Sequence, residues 1–144
     1  MKPTDLRIDN LVDVINRSGN VHLPTGITLR VLAIGITEGM FLPNEIPTHQ
    51  ATADVIMTIP LRDLTPIELT EDWLKRLGCI EQRINSTKKN YWNKEKDFSV
   101  DVEFSFSGNL YYYNVSKDRR KPLIHVHKLQ NLHYELKDEE LKIK

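Results

Sequence analysis

The histidines near the C-terminus are the side chains of this sequence best suited to hold a metal ion. His125 and His127 form an H-x-H pair, and His133 follows six residues later. On a β-strand the paired side chains would point the same way and could chelate a metal, whereas on an α-helix they would point about 200° apart. The helical pattern downstream favours the second geometry. We therefore expect structural histidines and no metal site.

The single cysteine and the carboxylates do not form a recognisable catalytic site. Cys79 follows Gly78 at the predicted C-terminal end of a helix, where the helix dipole disfavours a thiolate. Asp101 and Glu103 alternate on the exposed face of a predicted strand. The sequence contains no Ser-His-Asp spacing and no glycine-rich phosphate loop. We therefore expect no enzymatic activity and no cofactor.

Two basic segments are candidates for binding an anionic ligand. Residues 83–96 place cations around an aromatic pair, and residues 117–121 form a basic run after a predicted hairpin. Such a composition fits phosphate contacts combined with ring stacking, although two solvated loops have the same composition. In an antiparallel arrangement both segments could lie at one end of the sheet. Their candidate binding residues are Arg83, Lys88, Lys89, Tyr91, Trp92, Lys94, Arg119, Arg120 and Lys121.

The last predicted helix carries a further polar surface. His127, Gln130 and Asn131 share one face of this helix, beside its apolar stripe. These side chains either bind a ligand or partner, or their amides hydrogen-bond a neighbouring backbone edge.

The first half of the chain reads as strands separated by turns. Alternating apolar residues at 27–33 and 53–59 predict two strands, and the apolar segment 6–15 predicts a third. Turns at 24–26 and 37–39 bound the first of these strands. Short strands between glycine and proline breaks predict a small barrel or curled sheet.

The second half reads as helix, hairpin and helix. Thr70 is a good N-cap and Gly78 a good C-terminal stop, so the intervening residues predict a short helix. Alternation over residues 98–115 predicts a hairpin with Gly108-Asn109 as its two-residue turn, which pairs Phe106 with Tyr111. An apolar stripe predicts a second helix over residues 125–136.

Together these elements predict an α+β fold. Residues 1–68 form a small β-barrel-like half, packed on a C-terminal antiparallel sheet with two helices in residues 69–144. A core as small as that of the first half would be marginal alone, so we expect one compact unit. The halves also differ in composition: residues 1–70 have a net charge of −3 and one aromatic residue, and residues 71–144 have a net charge of +3 and ten.

The composition of the whole chain narrows the function classes. Basic and acidic residues number 20 each, which disfavours a polycationic tail or an acidic mimic of nucleic acid. One cysteine excludes an internal disulfide framework. The N-terminus lacks the pattern of a signal peptide, and the longest apolar run has six residues against about 20 for a membrane span. We expect a cytoplasmic protein without a membrane partner.

Three blocks of the sequence, in residues 6–12, 66–74 and 126–132, read LRIDNLV, PIELTEDWL and VHKLQNL. In these blocks the chain resembles a family of small uncharacterised proteins that recur in Bacteroidetes genomes, in their prophages and in their phages. It departs from the family at Asp9 and Asp138, where glycine is usual, and at Lys128, where glutamine is usual. The resemblance implies a phage or mobile-element accessory gene and carries no assigned activity.

The expected function is therefore binding, in the cytoplasm of a bacterial host cell. In the first hypothesis the protein counters host defence by blocking a bacterial protein or by sequestering a small anionic signal, with a homo-oligomer left open. An exposed aromatic patch would favour the protein partner, and a basic pocket at a symmetric interface would favour the small ligand. The alternative is a nucleic-acid-binding accessory protein that uses the basic-aromatic segments. A metal-assisted enzyme using the three histidines is the third hypothesis.

Overall fold

The computed structural model describes the chain in two compact units, Met1–Ile67 and Glu68–Lys144. Among the described residues each unit holds one five-stranded antiparallel sheet, and the second unit adds two α-helices. The α+β class predicted from the sequence is confirmed. The described residues are 2–15, 17, 19, 28–35, 37–43, 56–116 and 119–143.

The first unit is a curled sheet with strand order β4-β3-β2-β1-β5, which confirms the prediction of a barrel-like first half. Its apolar core lies on one face and includes Val12, Leu29, Val31, Phe41 and Ile59, each fully buried. Short 3₁₀ helices occur at Pro3–Asp5 and Leu61–Asp63. The strands are β1 (Leu11–Val14), β2 (Thr28–Ile34), β3 (Glu38–Pro43), β4 (Met57–Pro60) and β5 (Leu64–Thr65).

The alternating run at 27–33 corresponds to β2, but the turn after it ends earlier than predicted. Glu38 and Gly39 already belong to β3, which the sequence did not indicate as a strand. A bulge between Val31 and Ala33 brings the two strands close, so that a Cβ at Gly39 would lie 2.9 Å from the Ala33 carbonyl oxygen. Only glycine fits this approach. The turn predicted at 24–26 and residues 53–55 of the 53–59 run lie outside the described residues, whereas residues 57–59 of that run belong to β4.

A tight turn at Asp9 leads from the 3₁₀ helix into β1. Asp9 has φ 67°, and its N–H donates to the Val31 carbonyl at 2.8 Å. The Asn10 side-chain oxygen accepts from the Arg7 N–H at 2.9 Å. Aspartate tolerates the left-handed region better than most residues, so the turn forms without the glycine that is usual in the resembling family.

The second unit is a meander whose strands lie beside their neighbours in the chain, in the order β10-β9-β8-β7-β6. Its edge strands are therefore β6 and β10. The strands are β6 (Ile80–Arg83), β7 (Lys88–Trp92), β8 (Ser99–Ser105), β9 (Gly108–Ser116) and β10 (Arg119–Pro122). The helices are α1 (Glu71–Arg76) and α2 (Val126–Lys137).

The ends of α1 follow from its sequence. The Thr70 hydroxyl accepts from the Trp73 N–H at 3.3 Å, which caps the first turn. Gly78, with φ 78°, ends the helix in the left-handed conformation. Leu74 and Leu77 are buried, and Cys79 beyond them is a buried core residue. The short capped helix predicted from these residues is confirmed.

The predicted hairpin forms, but in a different register. Ser105 pairs with Gly108, so the two-residue turn is Phe106-Ser107, and Val102 lies opposite Tyr111. The predicted pairing of Phe106 with Tyr111 is therefore wrong by four residues. The Ser105 hydroxyl donates to the Gly108 carbonyl at 2.8 Å and helps to close the turn. Phe106 lies at the hairpin tip, fully exposed, instead of on the buried face.

Helix α2 begins one residue later than predicted. His125 is its N-cap residue in an extended conformation, and Asp138, with φ 55°, ends it in the left-handed region. Pro122 ends β10, three residues before the N-cap. Neither helix in the described part of the chain is long and apolar enough to cross a membrane.

Candidate functional site

One face of the second sheet carries a polar cluster next to α1. The Glu71 carboxylate accepts from Lys89 Nζ at 2.7 Å, from the Tyr91 hydroxyl, and from Asn109 Nδ2 at 3.2 Å. Glu81 lies 3.2 Å from Lys89 Nζ and 3.2 Å from the Tyr91 hydroxyl. We call these five residues the Glu71 cluster. It joins the first turn of α1 to β6, β7 and β9.

The electrostatics of the Glu71 cluster stabilise a single protonation state. Partial burial alone would raise the pKa of Glu71, but hydrogen bonds from Lys89 and Tyr91 outweigh it and hold that pKa below its ordinary value. The hydrogen bonds to Glu71 and Glu81 raise the pKa of Lys89. Burial and the bond to Glu71 raise the pKa of the Tyr91 phenol. Both carboxylates thus stay ionised and Tyr91 remains a donor, which is the arrangement of a structural ion-pair network.

The opposite face of the sheet has a second polar row. Asn90 and Asp101, on adjacent strands, are both buried, and Asn90 Nδ2 donates to Asp101 Oδ1 at 2.6 Å. Lys88 Nζ lies 3.3 Å from the other Asp101 oxygen and 4.0 Å from Glu103. The sequence assigns Asp101 to an exposed strand face, which is wrong because its neighbours on this face cover it.

A groove opens on the same face beside this polar row. It has a volume of about 370 Å³ and is lined by Ile80, Glu81, Gln82, Trp92 and Lys96. Ile80, Gln82 and Trp92 share this face because alternate residues of a strand point the same way and Ile80 pairs with Trp92. We call this feature the Trp92 groove. Its volume lies in the range of small-molecule sites, roughly 300–1,000 Å³.

Two charged residues line the Trp92 groove, Lys96 and Glu81. Lys96 is exposed, with φ 59° in the turn after β7, and no described residue forms an ion pair with its ammonium group. Glu81 is already held by Lys89 at 3.2 Å and by Lys75 at 3.7 Å. The Glu81 carboxylate thus lies on the other face of the sheet and is neutralised from within the unit, so Lys96 is the residue through which the groove carries a positive charge.

The first predicted basic segment is not one surface. Lys88 and Lys89 lie on strand β7 and face opposite sides of the sheet, where each pairs with carboxylates. Tyr91 is fully buried in the Glu71 cluster. Lys94 is exposed in the turn after β7, and Trp92 is half-buried in the groove. Arg83 ends edge strand β6. Strand β7 thus runs through the middle of the segment and divides it between two turns, which corrects its interpretation as one loop.

The second basic segment lies along the other edge strand. Arg119, Arg120 and the exposed Lys121 belong to β10. The turns after β7 and after β9 are at the same end of the sheet, since neighbouring strands run in opposite directions. Lys94 and β10 are therefore at one end, as the antiparallel prediction allows. Three strand spacings separate β7 from β10, which is about 14 Å.

The polar face of α2 is turned towards the C-terminal segment. Gln130 is buried, and its Nε2 donates to the Leu141 carbonyl at 3.2 Å. His133 is also buried, with Nδ1 2.9 Å from the Glu139 carbonyl oxygen and its ring edge against Phe98. The Gln130 amide thus hydrogen-bonds a neighbouring backbone group, which is the second of the two roles predicted for this face of the helix.

The H-x-H pair does not have the geometry predicted for two helical residues. His125 precedes α2 in an extended conformation, and its ring stacks on that of buried His127 with centroids 5.5 Å apart. The expected separation of the two side chains is wrong, because only His127 is in the helix. Asn131 is half-buried one turn further on. No group of three or more His, Cys, Asp or Glu within the described ranges could hold a metal ion.

Comparison with models of protein families, with curated proteins and with solved structures finds no match.

Several residues of the two candidate sites lack a local sequence signal. Glu71 is recognisable as a helix N-terminal residue, but not as the partner of Lys89 and Tyr91, which are 18 and 20 positions away. Ile80 and Gln82 line the Trp92 groove only because β6 pairs with β7. A prediction of that strand pairing, which the short 84–87 turn favours, could have found both.

Proposed function

We propose that this protein acts by binding, and that the Trp92 groove holds a small anionic ligand with a planar ring. The observation that carries this proposal is that Trp92 and Lys96 both line one groove of about 370 Å³. The lysines of the neighbouring strand β7, Lys88 and Lys89, are engaged with carboxylates of their own unit. Lys96 lines the groove and has no ion pair with a described residue, so a ligand in the groove can contact it without breaking one.

Each lining residue has a distinct part in the proposed complex. The half-buried Trp92 ring stacks on the planar part of the ligand, and Ile80 packs against its edge. The Lys96 ammonium group neutralises the anionic part, and the Gln82 amide can both donate and accept a hydrogen bond. Nucleotides and cyclic nucleotides combine a planar base with phosphate and belong to this ligand class.

The biological setting of the proposal comes from the resemblance to phage and mobile-element proteins. A protein that sequesters a nucleotide signal in the cytoplasm of a bacterial host would counter defence systems that depend on the signal. Both positions at which glycine is usual in that family, Asp9 and Asp138, have positive φ here. The backbone conformation that glycine would favour is thus present at both, which supports the resemblance.

A fluorescence titration tests this proposal directly. In a Trp73→Phe background, Trp92 is the remaining tryptophan, and its emission is followed while nucleoside mono- and triphosphates and cyclic dinucleotides are added. We expect quenching by at least one of these ligands. Lys96→Glu should raise its Kd about tenfold or more, since a charge-assisted contact is lost. Lys94→Glu is the matched control, because Lys94 is in the same turn but does not line the groove.

The alternative is single-stranded nucleic acid, favoured by the location of Lys94 and the start of β10 at one end of the sheet. In that case Lys94→Glu and Lys121→Glu would each weaken the binding of an oligonucleotide, and its affinity would fall steeply with salt. The groove proposal fails if none of the mononucleotide or dinucleotide ligands quenches Trp92, or if Lys94→Glu weakens binding as much as Lys96→Glu.

A further inference from the structure

The two edge strands of the second sheet differ in how well they are protected against pairing with a further strand. At the β10 edge the N–H of Leu123 donates to the Tyr111 carbonyl, so Pro122, one residue earlier, lies where the backbone points away from β9. A proline there removes an outward N–H group and discourages pairing with another strand. Strand β6 contains no proline, and Ile80 and the adjacent Ile84 expose 53% and 54% of their surface.

The hydrogen-bond pattern shows which backbone groups of β6 face outward. The Ile84 N–H donates to the Lys88 carbonyl at 3.1 Å, which makes this pair a hydrogen-bonded one of the antiparallel ladder. Hydrogen-bonded and non-bonded residue pairs alternate along an antiparallel ladder. The backbone N–H and C=O groups of Gln82 and Ile80 therefore also bond to β7. The N–H and C=O groups of Glu81 and Arg83 therefore point away from the sheet, where no described strand meets them.

The sequence of this edge complements itself. Residues 80–84 read Ile-Glu-Gln-Arg-Ile, so an antiparallel second copy with Gln82 opposite Gln82 places Ile80 opposite Ile84 and Glu81 opposite Arg83. In this register Glu81 and Arg83 form the bonded pairs, and four backbone hydrogen bonds result. The neighbouring registers of the same parity place Glu81 opposite Glu81, or Arg83 opposite Arg83. Like charges directly opposite each other are unfavourable in a sheet.

We propose that β6 pairs with β6 of a second copy of this chain across a two-fold axis, which joins the two second-unit sheets into one of ten strands. The pairing is isologous, with each Glu81 opposite the Arg83 of the other copy. A five-residue edge is smaller than a standard interface of about 1,600 Å², so the dimer is reversible. Opposed residues share a face, so two Trp92 grooves open on one face of the joined sheet. The proposal does not depend on a ligand in these grooves.

Sedimentation velocity of the full chain, from about 10 µM to about 1 mM, measures the association. We expect a monomer–dimer equilibrium that Glu81→Lys and Arg83→Glu each weaken by about tenfold or more, since each variant places two like-charge pairs in the interface. Mixing the two variants should restore dimerisation, because every charge pair is then opposite in sign. Lys121→Glu, a charge reversal on the other edge strand, should leave the association unchanged.

Amide hydrogen exchange across the same concentrations locates the interface. In the dimer the amides of Glu81 and Arg83 should gain protection, while that of Gln82, already bonded to β7, should change little. Circular dichroism confirms that each variant is folded. A chain that stays monomeric throughout, a dimer equally strong in both charge variants, or a mixture that remains monomeric would each overturn the proposal.

Discussion

At the residue scale, the Glu71 cluster shows that contacts and burial determine whether a lysine or tyrosine stabilises the fold or is available to bind a ligand. Lys89 and Tyr91 belong by composition to a basic-aromatic binding segment. Their contacts with Glu71 and Glu81 make them structural, because leaving these donors unpaired in a partly buried position would be costly. Trp92, one position further on, faces the other side of the sheet and lines the groove. Strand alternation thus separates neighbouring residues into two functions.

The pH dependence of stability follows from the same cluster. The pKa of Glu71 in the folded chain is below the ordinary value of 4.5, so its contribution is present above about pH 4.5 and is lost as the pH falls through the folded pKa. Glu71→Gln should lower the free energy of unfolding by about 1 kcal/mol at pH 7 and by much less at pH 3.

Urea denaturation at pH 7, 5 and 3 measures this difference. Glu135→Gln, at an exposed position of α2, is the control and should follow the profile of the wild type. A Glu71→Gln deficit that is equally large at pH 3 would show that the ion pairs of Glu71 do not stabilise the fold.

At the element scale, local capping signals predict α1 well, while the hairpin register requires more than alternation. A slip of four residues keeps every side chain on its face, so the apolar pattern over residues 98–115 fits both registers equally. The observed one brings Asp101 opposite Tyr112 and Asn109 to Glu71. Registers that differ by an even number of residues have the same apolar pattern. These tertiary contacts, and the hydrogen bond from the Ser105 hydroxyl that closes the turn, therefore select the observed register.

The position of Phe106 provides a test of the register. Because its side chain is fully exposed at the hairpin tip, Phe106→Ser should change the free energy of unfolding by less than about 0.5 kcal/mol. Phe98→Ala, at a buried position that stacks on Tyr113, should cost about 3 kcal/mol or more. Chemical denaturation measures both, and a loss for Phe106→Ser near that for Phe98→Ala would favour the register with Phe106 on the buried face.

The end of α2 carries a conformational cost that glycine would relieve. Asp138 adopts φ 55° while its N–H bonds the Tyr134 carbonyl at 2.7 Å. Asp138→Gly should raise the free energy of unfolding by about 0.5 kcal/mol, because glycine reaches this conformation without steric cost. Asp138→Ala should lower it. Thermal denaturation ranks the three proteins, and a more stable alanine variant would contradict the observed helix end.

At the scale of the whole molecule, the α+β class and the curled first sheet can be predicted from the sequence. Both follow from the spacing of apolar residues and from the positions of the turn residues. The Trp92 groove does not follow in this way. Ile80 and Gln82 are ordinary strand residues in the sequence, and they become groove residues only through the β6–β7 pairing. A binding site assembled from adjacent strands depends on register, which is the property that single-sequence patterns specify least.

Native mass spectrometry of the full chain, purified gently from a bacterial extract, shows whether the Trp92 groove holds a ligand. We expect a protein that carries the extra mass of a small anionic molecule. That mass should be lost in Lys96→Glu and retained in Lys94→Glu. A bare protein in all three samples, or the same extra mass in all three, would contradict the assignment of the groove as the binding site.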